Sequence, residues 1–138
     1  MTAPVHGVVL DTDVASAAFK DKDKSLPILA KLVGWDPTIT FVTLGELVKW
    51  TERRAWAPHN RAALEHWLSA IPILHSTDAI AHTWGRLSAE AMRRGRPRPQ
   101  NDMWIAAVCL TLDVPLATLN IKDFVDFEAH HGLRIIRA

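Results

Sequence analysis

The stretch Gly7-Val8-Val9-Leu10-Asp11-Thr12-Asp13-Val14 decides how this chain is read. Its first four residues are an apolar run, too short for a helix and bounded by Gly and Asp, and read as a buried strand. Thr12–Phe19 then has a helical pattern, so Asp11 falls where a strand hands over to a helix. The same alternation repeats outward. Ser25–Val33 reads as a helix with Ser25 as N-cap and Gly34 as its stop. Thr38–Val42, β-branched and aromatic, reads as the second strand. Thr43-Leu44-Gly45-Glu46 fits a capping box, with Thr43 as N-cap and Glu46 three residues on, opening a helix to about Ala55.

Pro58 and His59 mark a break before a helix over Asn60–Ala70, and Pro72–His75 reads as a third strand. Ser76–Arg94 is a long helix whose core face is Ile80, Trp84, Leu87 and Ala91, ended by Gly95 and two prolines. Asn101–Leu112 is apolar nearly all round, which predicts a central, buried helix. Pro115–Thr118 and Leu133–Ile136 complete the strands. Strands separated by helices imply a mostly parallel sheet of four to five strands, flanked by helices in a three-layer α/β fold.

The bulk numbers agree with one domain over residues 1–138. About half of the chain (49%) is hydrophobic, enough for a sizeable core, and 22% is charged, which argues against disorder. A net charge of +1 singles out no partner. Locally, Arg93, Arg94, Arg96 and Arg98 concentrate positive charge just ahead of Asp102, whereas Arg53 and Arg54 read as ordinary surface charges. A single cysteine, Cys109, excludes an intrachain disulfide and, within an apolar run, reads as a small core residue. No run approaches the ~18–20 apolar residues of a membrane span. Met1–Gly7 has none of the marks of a signal peptide. The expectation is a soluble cytoplasmic protein with no membrane partner.

In open parallel sheets, sites form beyond the C-terminal ends of the strands. Asp11, Glu46, Asp102 and Asn120 all fall at such ends or at helix starts facing them. Each has an ordinary structural use: Asp11 and Glu46 as capping acids, Asp102 at the positive end of a helix dipole, Asn120 as a turn residue. Together they describe a pocket of carboxylates that repel and raise one another's pKa. A hard divalent cation, Mg²⁺ or Mn²⁺, relieves that repulsion, takes oxygen ligands and meets phosphate.

The motifs resemble those of the PIN-domain family, and of its VapC-type toxins in particular. Val8–Val14 looks like the family's opening strand running into Asp-Thr-Asp. Val42-Thr43-Leu44-Gly45-Glu46-Leu47 resembles its second motif. Asn101-Asp102-Met103-Trp104-Ile105-Ala106-Ala107 is similar to its third, and Thr118-Leu119-Asn120-Ile121-Lys122-Asp123-Phe124 to its last. The resemblance runs from about Val8 to Ile136.

It implies a metal-dependent endoribonuclease acting on structured RNA such as tRNA or rRNA, the toxin of a type II toxin–antitoxin pair. It also implies a homodimer and an antitoxin whose C-terminal tail covers the active site. By carry-over, Asp11, Glu46 and Asp102 hold the metal, Thr12 assists through its hydroxyl, and Asn120 stands where many relatives have Asp. Asp123, three residues on, is the alternative for that position. Arg93, Arg94, Arg96, Arg98 and Trp50 are the expected RNA or antitoxin contacts. Trp84 and Trp104 read as core; Trp50, Trp56 and Trp67 read as an exposed apolar face for a partner.

Two other readings stay open on these residues. Leu10-Asp11-Thr12-Asp13-Val14 also resembles the Asp-x-Asp strand end of haloacid-dehalogenase-type phosphatases, where the first Asp is a covalent nucleophile. Asn101-Asp102 matches that family poorly. A PIN domain that binds RNA or protein without catalysis is the other, and Asn120 is the residue that favours it.

Overall fold

The structure, a computed structural model, describes residues 6–20 and 26–138. Its centre is a sheet of five parallel strands: β1 (Gly7–Leu10), β2 (Asp36–Thr40), β3 (Ile73–Leu74), β4 (Leu116–Ala117) and β5 (Ile135–Ile136). Their order is β3-β2-β1-β4-β5. The chain steps outward from β1 through β2 to β3, then returns to lay β4 on the other side of β1. The strand order therefore reverses between β1 and β4, the crevice where ligands of open α/β sheets bind.

Successive side chains on a strand face opposite ways, and each face buries its own core. Val9 and Leu116 point into one, with α5 (Asp78–Arg93), α6 (Gln100–Leu112) and α7 (Ile121–His131). Val8, Leu10, Ile39 and Ala117 point into the other, with α1 (Thr12–Lys20), α2 (Pro27–Lys31), α3 (Phe41–Arg53) and α4 (Pro58–Ser69). This is the expected three-layer α/β arrangement.

Helix α6 is the central element its composition predicts: Met103 and Ile105 through Cys109 are all buried. Cys109 is a free thiol whose pKa is pushed up, chiefly by burial. On α5, Ile80, Leu87 and Ala91 are buried and Trp84 packs against the same core. Among the described residues no helix is long and apolar enough to cross a membrane.

Several boundaries differ from the sequence reading. The second strand is Asp36–Thr40, not Thr38–Val42, because Thr40 ends it as the N-cap of α3: its hydroxyl accepts from the Thr43 N–H at 3.3 Å. Thr43 is therefore inside the helix and buried, and Glu46 lies in its second turn rather than at the N3 position of a capping box. Pro58 does not break a helix but opens α4, where its missing N–H costs nothing. Ser25 falls outside the described residues; the described helix there is Pro27–Lys31.

Helix α7 has no counterpart in the sequence reading. Phe124 and Phe127 are both fully buried, and Gly132 ends the helix with φ +76°. Trp50, Trp56 and Trp67 form no exposed face. Each is partly buried in the α1–α4 core, where Phe19 meets Trp56 at 6.3 Å and Trp67 at 5.8 Å.

The buried Thr40 cap supports a direct check. Thr40→Ala leaves an N-terminal N–H of α3 without a partner and is expected to cost about 1 kcal/mol. The urea midpoint should fall at unchanged m-value.

Candidate functional site

Asp11 ends β1 at the point where the strand order reverses, and its backbone N–H donates to the Ala117 carbonyl of β4 at 2.9 Å. The residue is 6% exposed. One carboxylate oxygen accepts from the Thr12 N–H at 2.8 Å and the other from the Thr118 hydroxyl at 2.8 Å. Asp11 also serves as a helix cap, since its carbonyl accepts from the Ala15 N–H at 2.9 Å. The side chain takes part in that ordinary role as well, since the N–H it accepts from Thr12 is the first of α1.

Thr12 carries the connection onward. Its hydroxyl donates to Glu46 Oε1 at 2.6 Å. A hydroxyl has one proton to give, so the 3.0 Å contact between the Thr12 and Thr43 hydroxyls is donated by Thr43. Glu46 is thus fixed over the strand end by a relay running from α3 through α1.

Asp102 faces the same crevice from the first turn of α6. Its pKa is pushed up to about 6, first by burial and then by the charges of Asp123 and Glu46, with Arg98 pulling the other way. Asp11 is pushed up to about 7, first by burial and then by the charge of Asp13, with Asp102 adding to it. The hydrogen bonds from Thr118 and Thr12 oppose the shift without cancelling it. Five acids therefore share one electrostatic neighbourhood: Asp11, Asp13, Glu46, Asp102 and Asp123.

Of the residues expected here, Thr12 is bonded to both Asp11 and Glu46, and Asp102 lies within electrostatic reach of Asp11, Glu46 and Asp123. Asn120 is exposed, and its side chain makes no cap bond to α7; its backbone N–H donates to the Thr118 hydroxyl at 3.0 Å. Between the two candidates for the fourth position, Asp123 is the one whose charge reaches Asp102.

Asp13 is a further acid whose charge acts on Asp11, and the sequence reading gave it no role. Its carboxylate accepts from the Val14 N–H at 2.7 Å and from the Leu119 N–H at 3.1 Å, tying the loop after β4 to α1. Burial raises its pKa too. The signal was present in the alternation Asp11-Thr12-Asp13, which sets two acids about one strand end.

The arginine cluster divides. Arg96 is paired with Asp126 at 2.9 Å and Arg98 faces Asp123 at 3.9 Å, so both are turned onto α7. Arg93 is exposed and Arg94 is half-buried. Trp50 is half-buried, with Lys20 Nζ 3.9 Å from its ring centroid.

The donor set fits a hard divalent cation in chemistry, since every group is a carboxylate and the charges of Asp123 and Glu46 both act on Asp102. Among the described residues no group of three His, Cys, Asp or Glu side chains is arranged so that it could hold a metal ion. Mg²⁺ does not require such a group, since it ordinarily keeps several waters and takes only one or two protein carboxylates directly.

Fold and site together define a three-layer α/β protein with a cluster of acids at the switch point of a parallel sheet. The family model of the PIN domain matches residues 8–128, and the chain belongs to that family. It is 31% identical over 126 residues to the tRNA(fMet)-specific endonuclease VapC of Shigella flexneri, covering 91% of this chain and 93% of that one. With Ribonuclease VapC1 of Haemophilus influenzae (strain R2866) it shares 27% identity over 118 residues, 84% of this chain and 88% of the relative. The fold is also that of VapBC2 from Rickettsia felis, solved bound to a DNA fragment from its promoter. The TM-score is 0.80 at 22% identity, over 96% of this chain and 98% of that one.

Proposed function

We propose that this chain is a VapC-type toxin: a metal-dependent endoribonuclease that cleaves structured RNA such as tRNA or rRNA. The observation that carries the reading is the gathering of acids at the end of β1: Thr12 ties Glu46 beside Asp11 through its hydroxyl, and Asp102 lies within reach of the charges of Glu46, Asp123 and Asp13. Such a site is costly to keep ionised alone and becomes favourable beside a doubly charged ion, which can in turn attract an anionic phosphodiester. The kinship with VapC ribonucleases supports the same chemistry.

Asp11, Glu46 and Asp102 would hold Mg²⁺ or Mn²⁺, with Asp123 as the further acid. When bound, the ion supplies Lewis-acid stabilisation of charge on the phosphoryl oxygens and lowers the pKa of water. The residues of the chain then have distinct tasks. Thr12 fixes Glu46 through its hydroxyl, and Thr118 and the Thr12 N–H fix the two oxygens of Asp11. A carboxylate of the cluster orients the attacking water and takes its proton. The water oxygen bonds to phosphorus in line with the departing 3′ oxygen, the P–O3′ bond breaks, and the 3′ oxygen takes a proton. The products are a 5′-phosphate and a 3′-hydroxyl. A cognate antitoxin tail over this crevice and a homodimeric state complete the proposal, in keeping with the VapBC complexes that share the fold.

Incubating the purified chain with bulk tRNA and rRNA tests it. Cleavage is expected in millimolar Mg²⁺ or Mn²⁺ and should stop in excess EDTA; undiminished cleavage in EDTA overturns the metal-dependent reading. Metal binding should also appear as heat stability. At one hundred times the Kd, linkage adds about 2.7 kcal/mol, or roughly 10 °C for a domain of this size. RNA binding without cleavage, and without any shift in Tm on adding metal, would favour the non-catalytic alternative.

A further inference from the structure

Between α5 and α6 the chain runs Arg96-Pro97-Arg98-Pro99, and both arginines turn onto α7. Arg96 Nε donates to Asp126 at 2.9 Å, a hydrogen-bonded ion pair. Arg98 Nη2 stands 3.9 Å from Asp123, one helical turn earlier, beyond hydrogen-bond reach.

The two pairs are not alike. The Arg96 side chain is 60% exposed, so its pair is an ordinary surface one. The Arg98 side chain is only 18% exposed, and its buried Nε makes no hydrogen bond among the described residues. A guanidinium carries five donors, and enclosing it so little bonded is costly. An arginine kept for stability closes onto its partner, as Arg137 does on Glu128 with bonds of 2.7 and 2.8 Å.

What Arg98 supplies instead is charge. Asp102 feels the negative charges of Asp123, Glu46 and Asp13, and Arg98 opposes them. The backbone keeps that charge in place. Pro97 and Pro99 have a fixed φ and confine the residue before each to extended conformations. Pro99 is the last residue before α6, whose first turn carries Asp102. The segment that places Asp102 therefore places Arg98 too.

We propose that Arg98 is a positioning residue of the acid cluster, its resident counter-cation. It holds Asp123 in the metal-free chain, competes with a divalent ion for that carboxylate, and so limits how tightly the site takes the ion. An ion held less tightly is one whose occupancy follows its concentration. The assignment rests on the metal-dependent reading and adds to it the residue that regulates occupancy. It also replaces the expectation that Arg98 touches RNA or an antitoxin, for which its side chain is too enclosed.

The test uses the metal alone. MnCl2 is titrated calorimetrically, without RNA, into the natural chain and into Arg98→Gln, Arg98→Lys and Arg96→Gln proteins, with circular dichroism to show that each is folded. Removing one neighbouring positive charge should tighten the Kd about three- to tenfold. Lysine keeps the charge and should keep the Kd near its natural value. Arg96→Gln loosens the same loop from α7 but breaks a pair with Asp126, and should leave the Kd unchanged. Arg98→Met keeps the buried stem and carries the same expectation as glutamine, so a glutamine variant that fails to fold leaves the test intact. A Kd unaltered or weakened in Arg98→Gln and Arg98→Met overturns the assignment and leaves the metal site standing. Equal tightening in Arg98→Lys or Arg96→Gln overturns it as well, since loop packing would then be the cause. No binding by any of these proteins overturns the metal-dependent reading and this assignment with it.

Discussion

Asp11→Asn is expected to remove RNA cleavage while leaving the metal-free protein harder to unfold at pH 8 than the natural chain. The loss should be roughly a thousandfold, ~4 kcal/mol of barrier, because an amide neither balances a divalent ion nor accepts a proton as a carboxylate does. The stability gain follows from the raised pKa. The Asp11 carboxyl ordinarily titrates at 3.8 and in the folded chain at about 7, chiefly because it is buried. Folding therefore takes up a proton between those pH values. Its favourable contribution is complete below the ordinary value and eroded as pH rises to about 7. Above that, the full cost of a buried charge stands against folding.

That cost is at most about 4 kcal/mol, and asparagine abolishes it. Against this, the amide nitrogen must face either the Thr12 N–H or the Thr118 hydroxyl, forfeiting about 1 kcal/mol. A net gain of at most about 3 kcal/mol remains at pH 8, and it should vanish towards pH 4. Thermal unfolding of both proteins in EDTA at the two pH values measures it. Adding Mg²⁺ should raise the Tm of the natural chain and not of the variant. An Asp11→Asn protein that still cleaves RNA at the natural rate would remove Asp11 from the chemistry altogether.

Phe127→Ala has the largest expected effect on folding. Phe127 is fully buried beside Phe124, ring centroids 6.1 Å apart, and together they seat α7 against the core around α6. Truncating a buried phenylalanine costs about 3–5 kcal/mol, a large part of the ~5–15 kcal/mol by which a domain is stable. Helix α7 also presents Asp123, so the damage reaches the site without touching it. Denaturant unfolding should show a much lower midpoint, and RNA cleavage by the fraction still folded should be reduced. A loss below about 1 kcal/mol, the range of an ordinary surface substitution, would mean that α7 is not anchored as described.

Both residues show how far the sequence could be read. Asp11 was legible because a four-residue apolar run followed by Asp admits little else. Asp102 was legible because it opens a helix with no polar face to spend. The edges of β2 were not. Phe41 and Val42 favour strands, and only the placement of the Thr40 hydroxyl over the Thr43 N–H makes them helical. Helix α7 was hidden for a similar reason: its apolar stripe is narrow, and its place becomes plain only when Phe124 and Phe127 are seen in the core. The tryptophans misled because an amphipathic ring at a helix surface looks the same in sequence whether a partner or Phe19 covers it.

Cys109 gives the molecule a built-in stopwatch. It is the chain's single cysteine, 1% exposed midway along α6, and burial holds it in the unreactive thiol form. A thiol-selective dye can reach it only when the central helix is laid open, so the labelling rate counts openings of the whole molecule rather than the fraying of its edges. No engineered reporter is required, and ligands that settle on the acid cluster should slow the clock.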